Sequence, residues 1–337
     1  MIKANKQHSI GVILLTLTAV FWGAGFVLNS NLLKAGFANT PSLLNALRFG
    51  VSTLCLLVIF NKKIKFNKYI LLYGGLGGAM LFAAFLAQVI GQKYTTPSHS
   101  GFFTASYAMF VPFITWIGYK KRPSWISFVG VAVAIAGLVI LNFQGKDAAA
   151  DKMWLGDVLT AFCAIMFALQ IFWTDYTLKK DKIDVVQLTF WQIATAALLF
   201  VLYTVIFESK NYSSMSIDLG NSWWRLLIVI FGGTAFAYYA QTYSLNYLNP
   251  TETSLIMACE SPIGAFLSVI LLIEPLSWQM VVGGALVVIA VILVEVVPHL
   301  VDKKIHAKFD TPSTSEEAPP TDSESTTADS DNNQLDA

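Results

Sequence analysis

Ile70-Leu71-Leu72-Tyr73-Gly74-Gly75-Leu76-Gly77-Gly78-Ala79-Met80-Leu81-Phe82-Ala83-Ala84-Phe85-Leu86-Ala87-Gln88-Val89-Ile90 holds no charged side chain. A helix of that length rises about 31 Å at 1.5 Å per residue, the thickness of a bilayer's hydrocarbon core. A barrel strand crosses the same core in about 9–11 residues, so the run reads as a membrane-spanning helix. Its four glycines are no phosphate loop, because no strand precedes them and no Walker lysine follows; they suit close helix packing. Lys62, Lys63, Lys65 and Lys68 crowd one flank of the run, against Lys93 alone on the other.

Similar runs lie near 10–29, 42–60, 98–119, 125–143, 156–176, 185–207, 226–245, 252–273 and 278–297. Ten runs leave connections too short for a soluble domain, so the expected class is an all-α integral membrane protein of ten transmembrane helices. Composition agrees: 55% of the 337 residues are hydrophobic, 13% are charged, and the mean hydropathy is +0.59. An ordinary soluble domain carries about twice that charge, which argues against a soluble enzyme and against a disordered chain. The first run follows Lys3 and Lys6, but it is too long for a signal-peptide core and has no small-x-small cleavage site. Cys55, Cys163 and Cys259 sit in apolar runs without metal or redox spacing, and the four histidines form no cluster. No metal, cofactor or catalytic residue is expected.

Lys and Arg set the orientation. With the N-terminus inside, the inner loops and ends hold 15 of the 22 bases and the outer loops six. Both termini are therefore expected in the cytoplasm of a cell-membrane protein. Residues 310–337 hold eight acids, ten Ser/Thr and no base. That tail lacks the apolar surface to order itself, and its acidity disguises a basic body. No global argument for nucleic-acid binding survives.

Gln88 leads into Tyr94-Thr95-Thr96-Pro97, and Gln241 leads into Tyr247-Leu248-Asn249-Pro250, both 153 positions on. The same displacement carries Trp125 to Trp278 and Gly130 to Gly283. Four matches at one offset indicate an internal duplication. Each copy then holds five helices, and an odd number inverts the second copy relative to the first. The expected organisation is a first five-helix repeat over 1–148, a second over 149–298, and a disordered cytoplasmic tail over 299–337. Inverted repeats mark secondary transporters that work by alternating access.

Phe21-Trp22-Gly23-Ala24-Gly25-Phe26 stands in the first run and Leu47-Arg48-Phe49 in the second. Gly156-Asp157 opens the sixth run, and Gly233-Thr234-Ala235-Phe236-Ala237-Tyr238 stands in the eighth. Glu260 precedes Pro262 in the ninth, and Glu274-Pro275-Leu276-Ser277 precedes the tenth. In this order the chain resembles the EamA-type transporters of the drug/metabolite transporter superfamily over nearly all of 10–298. The resemblance implies a secondary active exporter of a small organic metabolite or drug-like compound, with no enzymatic activity. Its partners would be a small-molecule solute and the lipid bilayer; protons as coupling ion and a homodimer stay open.

Helical periodicity places Trp22 and Asn29 on one face of the first run, and Tyr238 and Gln241 on one face of the eighth. Gln88, the repeat partner of Gln241, and Tyr107 complete a polar and aromatic set that either lines a central cavity or packs the bundle core. Glu260 lies about 12 Å into the ninth run. A charge at the bilayer centre costs roughly 2.5–3.5 kcal/mol, so Glu260 faces a cavity, carries a proton, or has a partner. It is the candidate for solute binding or ion coupling; the alternative is a bond that fixes its helix. Arg48 is read as snorkelling or tying down the neighbouring loop, Asp175 as a local partner of Lys179, and Asp157 as a helix cap. Two rival functions remain: an intramembrane enzyme, which needs more deep titratable groups than Glu260, and a sensor or scaffold acting through the tail.

Orientation gives the first testable outcome. In a cysteine-free background, single cysteines at Asn67 and Lys180 should react with an impermeant maleimide only from the cytoplasmic side. A cysteine at Asn211 should react only from outside. Labelling of all three from one side contradicts both the charge bias and the inversion.

Overall fold

The structure, a computed structural model, describes residues 2–94, 97–142, 153–181, 183–214, 220, 223–271 and 275–309. The acidic tail 310–337, Thr95-Thr96 of the first Tyr–Pro motif, and Glu274 lie outside the described residues. Among the described residues there is no strand. The helices are α1 (Ile2–Leu32), α2 (Pro41–Phe60), α3 (Lys68–Gly91), α4 (Pro97–Ala105), α5 (Tyr107–Tyr119), α6 (Trp125–Asn142) and α7 (Met153–Asp181). They continue as α8 (Val185–Tyr203), α9 (Trp223–Leu227), α10 (Ala237–Leu245), α11 (Pro250–Ala258), α12 (Glu260–Ile270) and α13 (Trp278–Phe309). A π-helical stretch, Ile228–Phe236, joins α9 to α10. Eight helical stretches are long and apolar enough to cross a membrane; two more, Trp125–Ile140 and Trp278–Val294, are apolar but shorter.

Local chemistry explains the starts and stops. Asn67 caps α3 by accepting from Tyr69 N at 3.0 Å, and Asp184 caps α8 by accepting from Val186 N at 2.9 Å. Pro41 and Pro250 occupy first helical positions, where the missing N–H costs nothing. Asn249 and Glu252 form a reciprocal capping box at the start of α11. The α2 start is capped from another element. Ser42 N and Leu43 N donate to the two Glu208 carboxylate oxygens at 3.1 and 3.2 Å, and Thr204 Oγ1 donates to Glu208 at 3.0 Å. Glu208 therefore holds the α2 N-terminus to the end of α8, with its negative charge on the positive end of the helix dipole.

Two helices are interrupted. α4 gives way to α5 at Ser106 (φ −62°, ψ −8°), and α11 gives way to α12 at Cys259 (φ −59°, ψ −13°). Pro262 has no N–H for the Ala258 carbonyl, which loosens the ladder where α11 ends. The break puts Pro262 in the first turn of a new half-helix, where proline is tolerated.

Polarity is distributed the reverse of a water-soluble protein. Leu54, Val58, Ile59, Ile117, Ile206 and Ile270 are exposed, while Arg48, Gln170, Gln192, Gln241 and Glu260 are buried. In water such an apolar surface would drive aggregation; against lipid tails it is matched. The chain is a multi-pass membrane protein with its polar groups turned inward.

Gly74, Gly77 and Gly78 let α3 approach α8 closely. A Cβ on Gly78 would sit 2.4 Å from Gln192 O, a backbone atom that cannot swing aside. Gly75 has nothing within 4 Å of its notional Cβ. Close packing therefore accounts for three of these glycines and not the fourth. Gly78→Val should destabilise the purified protein by about 1–3 kcal/mol through overpacking, whereas Gly75→Val should stay within about 0.5 kcal/mol of the parent. Thermal unfolding in detergent reads the difference, and equal effects at both positions contradict the packing described.

Candidate functional site

The π-helical stretch departs from the 3.6-residue ladder, and its Gly233 carbonyl accepts two side-chain donors from other helices. Trp22 Nε1 on α1 donates to Gly233 O at 2.9 Å, and Arg48 Nη2 on α2 donates to the same oxygen at 2.9 Å. Arg48 Nε donates to Thr234 Oγ1 at 2.5 Å, and Thr234 Oγ1 in turn donates to Val229 O. Ser52 Oγ, one turn further along α2, donates to Ile230 O at 2.9 Å. Phe21 meets Phe236 edge to face, with centroids 5.7 Å apart. Three separate stretches of sequence thus meet at one carbonyl.

Trp22 and Arg48 are also two walls of an internal cavity. Gly25, Phe26 and Asn29 on α1 continue the first wall, and Phe85 and Gln88 on α3 form another. Thr104 on α4, Tyr107 on α5, Phe167 on α7 and Glu260 on α12 complete it. Its volume is about 30 Å³. That is room for little more than water, so a metabolite fits only after the walls part. The aromatic walls support one another: Phe85 meets Phe167 at 5.1 Å and Phe49 at 5.1 Å, and Trp22 stacks on Phe167 at 6.4 Å. The Arg48 guanidinium carbon lies 4.6 Å from the Phe85 ring centroid.

Glu260 opens α12, directly after the turn at Cys259. Tyr107 opens α5, the other half-helix, and its phenol lies beside the Glu260 carboxyl. Neither Tyr107 Oη nor Glu260 Oε1 completes a well-formed hydrogen bond in this arrangement. Among the described residues two other acids are buried, Asp175 and Glu208. Asp175 is held by Lys179 at 2.5 Å and by the Tyr119 hydroxyl at 2.7 Å, and Glu208 caps α2. Glu260 has no cation within ion-pair distance and opens onto the cavity.

Outside the cavity lining, α7, α8 and α10 share a set of buried amides. Gln170 Nε2 donates to Gln192 Oε1 at 3.0 Å and to Thr174 Oγ1 at 3.0 Å. Gln192 Nε2 donates to Thr174 Oγ1 at 3.0 Å, and Gln241 Nε2 donates to Gln170 Oε1 at 3.3 Å. All four residues are buried, and Gln241 Oε1 is left without a partner.

Trp22, Asn29, Gln88, Tyr107 and Glu260 line one cavity. Tyr238 and Gln241 do not line it. Tyr238 packs behind the wall, 5.5 Å from Trp22 and 6.2 Å from Phe85 between ring centroids, and Gln241 belongs to the amide layer. A helical face fixes direction, not depth, and both residues sit one shell too far out. Arg48 corrects a second expectation: it is buried, and it reaches inward to Gly233 and Thr234, not out to a loop. Its signal was available as the single base inside a run; what sequence spacing lacks is the direction in which so long a side chain extends. Asp175 pairs with Lys179 as expected.

Comparison with known proteins follows the same lines. The EamA-like transporter family matches residues 9–143 and, a second time, 154–296. An uncharacterized transporter of Archaeoglobus fulgidus is 27% identical over 281 residues, 83% of this chain and 84% of its own. A second from that organism is 22% identical over 285 residues, 84% of this chain and 97% of its own. The uncharacterized transporter YetK of Bacillus subtilis is 24% identical over 254 residues, 72% and 75% of the two chains. A solved crystal structure superposes with a TM-score of 0.63 at 17% identity, over 85% of this chain and 98% of that one; this likeness concerns the fold alone.

Proposed function

The chain belongs to the EamA-like transporter family, and from that premise we propose that it exports a small organic solute by secondary active, alternating-access transport. Membership makes it a membrane transporter of the drug/metabolite transporter superfamily, and the relatives carry transporter names. We further propose ten spans, arranged as inverted five-helix repeats over 1–148 and 149–298 with both termini cytoplasmic. The two separate family matches support this reading, as do the two shorter apolar helices and the two helix breaks at Ser106 and Cys259, 153 positions apart.

One observation carries the mechanism: a small cavity between the helices has the Glu260 carboxyl in its wall, with no cation within ion-pair distance of it among the described residues. Alternating access requires a site shut from both sides in turn. The Gln170–Gln192–Gln241 layer is the barrier on the cytoplasmic side, and its neutral hydrogen bonds can part at modest cost, roughly 0.6–2 kcal/mol each. Glu260 is the coupling group in this reading. It exchanges a proton with whichever side the cavity faces, and so ties protonation to solute occupancy. Trp22, Asn29, Gln88 and Tyr107 are its companions at the solute site. Tyr238 and Gln241 support the site from behind.

Flux in proteoliposomes tests this. The solute comes from comparing metabolites in cells with and without the gene. Wild-type protein should accumulate it against its gradient when a proton gradient is imposed. Glu260→Gln keeps the shape and hydrogen-bonding capacity but cannot titrate. It should abolish uphill accumulation while passive exchange persists with a flattened pH dependence. Normal uphill transport by Glu260→Gln places the coupling elsewhere.

A further inference from the structure

Arg48 is a guanidinium at membrane depth with no counter-ion. Its side chain is buried, and among the described residues no carboxylate lies within ion-pair distance of it. Its protein partners are neutral: Thr234 Oγ1, Gly233 O, and the faces of Phe85 and Phe49. Those two hydrogen bonds take Nε and one hydrogen of Nη2, the fork on one side of the planar group. The other side, formed by Nη1 and the second Nη2 hydrogen, makes no hydrogen bond to protein, and Arg48 is part of the cavity wall.

A buried cation without an anion is costly, and a bonded fork on one side leaves a rigid, planar pair of donors on the other. Such a pair matches the spacing of two oxygens of a carboxylate. The bonded side also keeps the guanidinium from swinging away, so the donors are set before any solute arrives. Beside Arg48 the walls are aromatic, through Phe85, Phe167 and Trp22, which suits an apolar body and not a second anion.

We propose that Arg48 is the anion subsite of the transport cavity, and that the transported solute carries a carboxylate joined to a small apolar body. The inference rests on the transport reading and deepens it. It assigns the solute's charge to Arg48 and leaves Glu260 free to exchange protons. An amino acid and a simple organic acid share this chemistry, and the test separates them.

Binding is measured on full-length protein in nanodiscs, with matched pairs that differ only in the carboxylate: leucine and leucinamide, 4-methylpentanoate and 4-methylpentanamide, phenylacetate and phenylacetamide. In each pair that binds, the carboxylate member should bind roughly tenfold or more tightly, since an unmet Arg48 donor pair penalises the amide. Preference for leucine over 4-methylpentanoate identifies an amino acid, and the reverse a simple acid. Arg48→Gln should erase the preference within pairs, and Arg48→Lys should keep part of it. The wild-type comparison stands on its own if a variant does not fold. Equal binding within the pairs overturns the inference, as does transport of a neutral or cationic solute when none of the six binds; either leaves the transport reading standing. Failure to move any solute of any charge in proteoliposomes contradicts the transport reading itself.

Discussion

The Gly233 carbonyl, accepting from Trp22 and Arg48 together, is the contact on which the rest of the arrangement depends. In a membrane interior, buried donors have no water to fall back on, and each unmet one costs on the order of 1–3 kcal/mol or more if charged. One oxygen resolves two of them, and in doing so ties α1 and α2 to the π-helical stretch that precedes α10. A regular α-helix commits each mid-helix carbonyl to its own ladder. In the wider turn at Ile228–Phe236 this one accepts from its neighbours. Because Trp22 and Arg48 are also cavity walls, the contact that joins the helices sets the shape of the site.

The second constraint is the close approach of α1 to the turn between α11 and α12. A Cβ on Gly23 would lie 2.7 Å from Glu260 O, so only glycine lets the two backbones meet there. That approach holds the start of α12 against α1, and with it the carboxyl of Glu260. Tyr107 approaches from the start of α5, the other interrupted helix. The cavity lies beside the turns at Ser106 and Cys259.

Much of this was legible in the sequence. Runs of about twenty apolar residues fix a helical membrane protein because the backbone has no other way to satisfy itself in lipid. Asp175 sits with Lys179, as its spacing in the sixth run leads one to expect, while for Glu260 in the ninth run the sequence leaves a cavity, a proton or a partner open. Trp22, Asn29, Gln88 and Tyr107 shared a cavity because helical period picks the inward face. The same period gives no depth along the neighbouring helix, and so Tyr238 and Gln241 fell behind the wall. Arg48 escaped for a related reason: a long side chain is placed by the acceptor it finds, here a carbonyl about 185 residues away in sequence.

The central claim is that this cavity is reached from the two membrane faces in turn. Pulsed electron paramagnetic resonance tests it most directly, through two spin-label pairs on full-length protein in nanodiscs. One pair replaces the exposed residues Lys121 and Asn246, beyond α5 and α10; the other replaces Lys34 and Lys93, beyond α1 and α3. Each pair sits beyond the ends of two different helices. The account predicts two distances for each pair, with populations that move in opposite directions as pH or solute is changed. A single unchanging distance at both ends under every condition would contradict it.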